Sequence, residues 1–156
     1  MSGDRDAFLE AIETAMDGPT PYERALALTL EYFRADSGTI HTRAGQQLEL
    51  AAASPGIPDV VLAQITTIPI GKGMAGVAAE REEPVDACNL QTDSTGDVRP
   101  GARATGLQGS ICVPVFREEQ VVGTLGIANR TEREFTPEET QLLLEAGRRI
   151  GSRTGG

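Results

Sequence analysis

The cysteines and the histidine are the side chains best suited to chemistry, and the chain has few of them. There are two cysteines, Cys88 and Cys112, and one histidine, His41. A nucleophilic thiol needs an activating group nearby, and neither cysteine has a His or Lys beside it in sequence. A metal site needs several ligands at close spacing. We therefore predict no catalytic residue, no metal and no cofactor, with Cys112 buried as a small apolar side chain and His41 on a strand surface.

A glycine-rich run offers a second kind of chemistry. Residues 71–76 read Gly-Lys-Gly-Met-Ala-Gly, and Asp93 follows at the spacing of a dinucleotide-binding fingerprint. That fingerprint needs a buried strand before it and a further strand–helix unit after it, whereas this strand is short and contains Pro69. We interpret the glycines as a tight entry into a helix that starts near Met74. The free N–H groups of such a helix start attract anionic groups.

A long polar segment, Cys88–Leu107, is the least regular part of the chain. Loops longer than about 12–15 residues are uncommon in compact domains and are mostly functional lids or disordered. The segment contains Asp93, Arg99 and Arg103, and arginine pairs bidentately with carboxylates. It therefore predicts a lid over a site for a small anionic ligand. The alternative is a solvated loop whose charges contact only water.

Composition excludes several classes of partner. The net charge of −9 and the pI near 4.6 disfavour binding to nucleic acid or to an anionic membrane, because both require clustered Lys and Arg. The N-terminus has no apolar signal-peptide region, and no apolar run approaches the roughly 18 residues of a membrane span. Two cysteines do not form a disulfide framework. We therefore expect one globular domain in the reducing cytoplasm.

Helical periodicity and caps predict three long helices. The first covers residues 4–16, and its apolar stripe is Phe8, Ile12 and Met16. The second runs from a Thr20-Pro-Tyr-Glu start signal to about Arg34. The last begins at the matching signal Thr136-Pro-Glu-Glu, and both signals predict a capping box with proline in the first turn.

Between these helices the apolar period changes to two, which is typical of strands. The predicted strands are 37–43, 46–53, 66–70, 109–116 and 120–128, with short helices at 58–64 and 75–81. This order predicts an α+β fold with an antiparallel sheet of five to six strands, helices mainly on one face and a loop-covered pocket on the other. In the last strand, Val122, Thr124, Gly126 and Ala128 form a face of small residues. We predict that the first and last helices pack on that face and that the pocket lies on the opposite one.

The order of three segments resembles that of a GAF domain. These segments are the glycine-rich turn at 71–76, the strand pair within 110–129, and the Phe135-Thr-Pro-Glu-Glu start of the last helix. The resemblance covers residues 20–152 and implies a small-molecule-sensing module of bacterial signalling proteins. It implies three parts: an N-terminal helix at 1–17 with a possible dimer contact, the GAF domain at 18–152, and a flexible tail at 153–156. No kinase, cyclase or phosphodiesterase segment is attached, so we expect a free-standing module.

The resemblance also assigns the polar segment. In GAF domains the matching segment covers the ligand pocket and often holds an acidic residue near an arginine, and Asp97 and Arg99 match that element. We therefore predict a non-catalytic regulatory module that holds a small anionic metabolite under the 88–107 loop. The predicted ligand-binding residues are Met74, Asp93, Arg99, Arg103 and Ser110.

One GAF branch reduces free methionine sulfoxide with cysteine thiols, and it resembles this chain in length and framework. Its glycine-rich turn reads Gly-x-Gly-x-Cys-Gly, but Ala75 occupies the cysteine position here. Arg103 stands where that branch has its catalytic cysteine, and Ser110 where it has an acidic residue. A thiol-dependent enzyme is therefore the disfavoured alternative.

Another GAF branch binds cyclic nucleotides and carries Asn-Lys, then Phe, then Asp-Glu after its last strand. This chain has Asn129-Arg130, Phe135 and Glu139-Thr140, so the motif is partial. Asn129, Phe135 and the helix start are common to GAF domains in general, which implies a role in folding.

A module without a ligand is the remaining alternative, because GAF domains often dimerise through their first and last helices. Phe8, Ile12, Met16, Leu143 and Ile150 would extend such an interface. The other interpretation is that these side chains complete the core of the monomer. We expect a homodimer and a partner signalling protein in either case.

Overall fold

The computed structural model describes residues 2–87 and 107–154, and the described chain folds into helices and strands in the predicted order. The helices are α1 Ser2–Met16, α2 Pro21–Phe33, α3 Asp59–Ile65, α4 Gly73–Arg81 and α5 Pro137–Gly151. The strands are β1 Ser37–Ala44, β2 Gln47–Ala53, β3 Thr67–Pro69, β4 Val85–Ala87, β5 Ser110–Arg117 and β6 Gln120–Ala128.

The strands form one antiparallel, six-stranded sheet in the order β3-β2-β1-β6-β5-β4. The predicted α+β class and antiparallel sheet are therefore confirmed. β3 is an edge strand, which accommodates Pro69 because an edge position requires fewer N–H donors. An antiparallel sheet with an edge strand before the glycine-rich turn is incompatible with a dinucleotide-binding fold.

Large aliphatic side chains cover one face of the sheet and pack against α2 and α5, and α1 packs on these two helices. We call this the helix face. Its members are Ile40, Ala52, Ile111, Val113, Val115, Leu125 and Ile127, and all are at least nine-tenths buried. The opposite face, which we call the cavity face, carries Thr124, Gly126 and Ala128 on β6.

The predicted assignment of these two faces was wrong. We expected the first and last helices to pack on the small residues of β6, but α5 packs on the face that carries Leu125 and Ile127, and α1 packs mainly on α2 and α5. The larger face buries more apolar area under the helices, which favours this arrangement. Close approach is provided from the helix side instead, because a side chain at Gly151 of α5 would collide with the Phe116 carbonyl oxygen.

Helix α1 belongs to the same core. Phe8, Ile12 and Met16 are buried, as are Leu143 and Ile150 of α5. These are the side chains considered for a dimer interface, and in this structure they complete the core of the monomer. The outer edges of α1 and α5 are joined by ion pairs, including one between Glu13 and Arg149 at 2.5 Å.

The two matching helix start signals behave differently. At α5 the Thr136 side chain accepts from the Glu139 N–H and the Glu139 side chain accepts from the Thr136 N–H, so the predicted capping box is confirmed. At α2 the predicted start is confirmed, with Thr20 at the N-cap and Pro21 in the first turn, but the predicted capping box was wrong, because Thr20 makes no side-chain cap hydrogen bond. Thr20 adopts a left-handed conformation with φ 43° in the tight turn between α1 and α2, which differs from the extended backbone typical of an N-cap.

Arg133 joins the end of β6 to the ends of α2 and α5. Its guanidinium donates to the Phe33 carbonyl and to Asn129 Oδ1, each at 2.8 Å, and to Glu139 Oε2 at 2.6 Å. It also lies over the Phe135 ring, 4.5 Å from the centroid. The residues of the partial cyclic-nucleotide motif, Asn129, Phe135 and Glu139, are therefore engaged in holding the fold together.

Candidate functional site

The floor of the candidate site is built by three adjacent strands. On the cavity face, β1 pairs with β6 as Ser37 with Ala128, Thr39 with Gly126, and His41 with Thr124. β5 continues the same surface, because Ser110 pairs with Ala128 and Cys112 with Gly126. Small and hydroxyl-bearing side chains thus alternate with the large aliphatic ones of the helix face. Their small size leaves a cavity of about 180 Å³ above the sheet.

Two short helices form the walls of this cavity. Val61, Gln64 and Ile65 of α3 line one side, and Gly73, Met74 and Ala75 in the first turn of α4 line another. The wall is completed by Ile57, Ile68 and Leu107. The space is therefore mainly apolar, with polar groups at a few positions, as is usual for small-molecule sites.

The glycine-rich turn brings the start of α4 to the cavity. Gly71 adopts φ 93° and its N–H donates to the Gly76 carbonyl at 2.8 Å, so the turn closes on itself. A side chain on Gly76 would approach the Pro69 carbonyl oxygen to 2.5 Å. Lys72 precedes the helix without a side-chain cap hydrogen bond. The first N–H groups of α4 have no partner within the helix, and the residues of this first turn, Gly73, Met74 and Ala75, line the cavity.

His41 is the ionisable side chain that the structure places most directly in the site. It is 2% exposed, and its Nε2 lies 2.8 Å from the Ile65 carbonyl oxygen at the end of α3. Burial lowers the pKa of His41 below its ordinary value, and this effect outweighs the hydrogen bond to Ile65, which raises it. His41 is therefore neutral near pH 7. The prediction that it lies on a strand surface was wrong, because its position on β1 faces the cavity rather than solvent.

Cys112 lies at the floor of the cavity, and its thiol is unreactive. Burial raises the pKa of its thiol to about 12, which outweighs the opposing effect of the neighbouring Thr124 hydroxyl. A thiol that stays protonated is a poor nucleophile. Its placement among Val77, Ala78 and Val85 agrees with the expected role as a small buried side chain.

The structure places two of the five predicted ligand-binding residues. Met74 and Ser110 both line the cavity, and the Ser110 hydroxyl donates to the Ile127 carbonyl at 3.3 Å. Asp93, Arg99 and Arg103 lie outside the described residues, as do Cys88 and all of the predicted lid except Leu107. A role for any of the five in binding a ligand remains a prediction.

Sequence reasoning missed Thr39, His41 and Gly126 as cavity residues. The available signal was the period of two along β1, where Ser37, Thr39 and His41 alternate with Gly38 and Ile40. A polar face on a central strand of a small domain indicates either solvent or a cavity, and the helix-covered layout makes a cavity the better interpretation.

Metal and membrane sites were also considered. Within residues 2–87 and 107–154, no group of three or more His, Cys, Asp or Glu side chains is arranged to hold a metal ion. None of the helices in the described part of the chain has the length and apolar character of a membrane span.

Comparison with known proteins places this geometry in a family. The family model for the GAF domain matches residues 19–153. The structure resembles the GAF domain from an Acinetobacter phosphoenolpyruvate-protein phosphotransferase, with a TM-score of 0.79, 17% identity, and coverage of 100% of this chain and 99% of that one. A search of curated proteins gave no match.

Solved reductases share the fold as well. The free methionine-R-sulfoxide reductase from Neisseria meningitidis, solved with its substrate, has a TM-score of 0.77 and 19% identity, covering 96% of this chain and 87% of that one. The GAF domain from a phosphoenolpyruvate-protein phosphotransferase of Coxiella burnetii has a TM-score of 0.78 and 18% identity, with coverage of 96% of this chain and 91% of that one. At these identities the likeness shows the fold alone.

Proposed function

The chain belongs to the GAF domain family, and on that premise we propose that it is a non-catalytic regulatory module that binds a small anionic metabolite in the cavity. The observation that carries the proposal is the cavity of about 180 Å³, which Met74 and Ser110 both line. It lies on the face of the sheet opposite α1, α2 and α5, where a ligand replaces no core side chain.

The volume is a guide to the size of the ligand. In another protein an engineered apolar cavity of about 150 Å³ takes up benzene, so a molecule slightly larger than benzene suits this cavity of about 180 Å³. Drug-sized ligands occupy pockets of about 300–1,000 Å³. A cyclic nucleotide is disfavoured by the structural roles of Asn129, Phe135 and Glu139 around Arg133.

Charge complementarity supports an anionic group on the ligand. The first turn of α4 lines the cavity, and the N-terminus of a helix carries partial positive charge and free N–H groups. Arg99 and Arg103, in the segment that follows β4, would supply full positive charge if that segment covers the cavity as the family resemblance implies.

Thermal unfolding with panels of organic acids, amino acids and nucleotides tests this function. A ligand at 100 times its dissociation constant stabilises the fold by about 2.7 kcal/mol, which corresponds to a rise of roughly 5–10 °C in melting temperature for a domain of this size. Gly126→Leu is the matched control, because its side chain would fill the cavity from the floor. A shift that persists in Gly126→Leu, or no shift with any compound, would contradict the proposal.

A reductase is the second candidate, because solved reductases share the fold. The described residues disfavour it. Ala75 lines the cavity where the reductase branch resembled by the sequence has a cysteine, and the Cys112 thiol is held protonated. We expect no thiol-dependent reduction of free methionine sulfoxide by the wild-type protein. Turnover that is lost in Cys88→Ser would show instead that the protein is an enzyme.

The third candidate is an interaction module that binds no ligand. In this case the protein would form a homodimer and bind a partner signalling protein in the bacterial cytoplasm. Because Phe8, Ile12 and Met16 are buried in the core, deletion of residues 1–17 is expected to cause aggregation. A soluble, folded monomer after that deletion, together with a dimer for the full chain by analytical ultracentrifugation, would favour the interaction module.

A further inference from the structure

The walls of the cavity are apolar. They are formed mainly by aliphatic side chains and a methionine, which come from α3, from the start of α4 and from the segments beside them: Ile57, Val61, Ile65, Ile68, Met74 and Leu107. Contact between two apolar surfaces is favourable because it removes both from water. The part of a ligand that lies between these walls is therefore expected to be apolar.

The described lining residues supply no charge that could pair with a second ionised group on the ligand. Their ionisable side chains are His41 and Cys112. Burial lowers the pKa of His41 and raises the pKa of Cys112 to about 12, so both are uncharged near pH 7. A buried charge requires an opposite charge. The ammonium group of an amino acid, or a second carboxylate, would find no such partner among these residues.

Most polar side chains on the floor of the cavity already have partners within the protein. Ser37 Oγ lies 3.0 Å from Ser54 Oγ. The Ser110 hydroxyl donates to a backbone carbonyl of β6 at 3.3 Å, and His41 Nε2 lies 2.8 Å from the carbonyl oxygen of the last residue of α3. Thr39 is the exception, because its hydroxyl has no hydrogen-bond partner within residues 2–87 and 107–154. The floor therefore has few side-chain hydrogen-bonding groups left for a ligand.

Gly126 is the position on the floor at which a ligand can come closest to the sheet. Thr39 of β1 and Cys112 of β5 are its partners on the two neighbouring strands, and all three residues line the cavity. A Cβ on Gly126 would lie 3.6 Å from Cys112 Sγ and 3.7 Å from Thr39 Oγ1, which is ordinary contact. The absent side chain therefore leaves a gap between these two side chains, and an apolar group fits into it.

We propose that the ligand is a small monocarboxylic acid with an apolar body about the size of a benzene ring, and that this body rests on Gly126 between Thr39 and Cys112. This inference rests on the proposed ligand-binding function. It narrows the anionic metabolite to one chemical class and excludes amino acids, dicarboxylic acids and sugar acids. Neither the family match nor the structural neighbours supply a reason for that restriction.

Calorimetric titration with matched acids measures the preference for an apolar body. Two pairs keep the shape of the ring and replace one of its carbon atoms by a polar atom: benzoate with isonicotinate, and cyclohexanecarboxylate with the corresponding tetrahydropyran carboxylate. A third pair, phenylacetate with phenylglycine, adds an ammonium group. The apolar acid that binds most tightly should bind at least about tenfold more tightly than its polar partner, because the walls leave a buried polar atom without a hydrogen bond.

The results separate this inference from the proposed function. An amino acid, a dicarboxylic acid or a polar partner that binds as tightly as the best apolar acid would overturn the inference and leave the proposed function intact. The absence of binding by every compound in the wider panels would overturn both.

Two glycine variants test where the apolar body lies. Gly126→Ala should weaken binding of the tightest apolar acid by at least about fivefold, because the new methyl group occupies the gap. Gly147→Ala is the matched control, since Gly147 lies on α5 at the opposite face of the sheet and its Cβ would lie 3.4 Å from Val115 Cγ2, which is also tolerable contact. It should leave the affinity unchanged. Unchanged or tighter binding by Gly126→Ala would overturn the inference.

Thr39→Val tests whether the floor recognises a polar group instead. The substitution keeps the shape of the side chain and removes its hydroxyl, so an apolar body should bind within about twofold of its affinity for the wild type. A loss of about tenfold or more, at an unchanged melting temperature, would show that the Thr39 hydroxyl bonds to the ligand, and the inference would be overturned.

Discussion

The two faces of the sheet are built from the same strands and serve different purposes. Leu125 and Ile127 project from β6 into the core formed with α2 and α5, while Gly126 and Ala128 of the same strand line the cavity. Each face therefore takes alternate residues of one segment. The helix face contains apolar side chains that are fully packed, and the cavity face contains small and polar side chains that leave space.

This difference separates stability from binding. Packing of the helix face buries most of the apolar area of the domain and provides most of its hydrophobic stabilisation. The cavity face contributes less packing and holds His41, whose Nδ1 is buried with no hydrogen-bond partner among the described residues. Substitutions of neighbouring residues should consequently have different consequences according to the face on which they lie.

Leu125→Ala should give the largest loss of stability. Leu125 is completely buried on the helix face, and truncation of a buried leucine costs about 2–5 kcal/mol. Thr124→Val, one residue away on the cavity face, should change the free energy of unfolding by about 1 kcal/mol or less, because it removes only a weak interaction between the Thr124 hydroxyl and the Cys112 thiol. Urea unfolding of both variants makes the comparison. Equal losses would show that the two faces do not differ as described.

Gly151→Ala and Gly126→Ala apply one change to both faces. A Cβ on Gly151 would collide with the Phe116 carbonyl oxygen on the helix face, and overpacking costs about 1–3 kcal/mol. A Cβ on Gly126 would lie 3.6 Å from Cys112 Sγ, which is ordinary contact. Melting temperatures should fall for the first variant and stay nearly constant for the second. A fall for Gly126→Ala alone would reverse the assignment of the packed face.

His41, on the cavity face, should make the free energy of unfolding depend on pH. Because burial lowers its folded-state pKa, the unfolded chain binds more protons once the pH falls below the ordinary histidine value of about 6.5. Stability should therefore decline as pH falls through that value, by at most about 1.4 kcal/mol per pH unit. Denaturant unfolding between neutral and mildly acidic pH measures this slope. His41→Gln does not titrate and should lose this component, whereas an unchanged slope would assign it to other groups.

Glu139, at the edge of the helix face, should cause a smaller change in the free energy of unfolding at lower pH. Burial acts against its charged form, but hydrogen bonds from the Thr136 backbone and from Arg133, with the Arg133 charge, outweigh it and lower the pKa of Glu139. The stabilisation is present above the ordinary glutamate value of about 4.3 and is lost as pH falls through the lowered value. The carboxylate is partly exposed, so we expect less than about 1 kcal/mol. Glu139→Gln should flatten stability profiles in this acidic range while leaving the His41 slope unchanged.

The order of the elements was predictable from sequence because each rests on a local signal. The capping box at Thr136, the period of two along β1 and β6, and the glycines of residues 71–76 all reflect nearest-neighbour chemistry. The matching sequence signal at Thr20 does not give a capping box, because the tight turn between two packed helices imposes a different backbone conformation there.

The face of β6 that bears the helices was not predictable in the same way. Alternation places Leu125 and Gly126 on opposite faces of the sheet, but it does not show which face packs against α5. Our prediction gave too much weight to a close approach between the helix and sheet backbones. For the site, Met74 and Ser110 were predicted as ligand-binding residues and both line the cavity, whereas His41 was missed. A histidine on a strand becomes informative only when the register, His41 opposite Thr124, is known.

Because side chains alternate between the two faces of each strand, the residues that line the cavity can change independently of the residues in the core. Thr39, Ser110 and Gly126 contribute their side-chain volume to the cavity and not to the helix face. The shape of the cavity can therefore be changed by substitution at these three positions while the residues of the helix face stay the same. The same independence allows a family to diversify the molecules it senses without redesigning the scaffold that holds them.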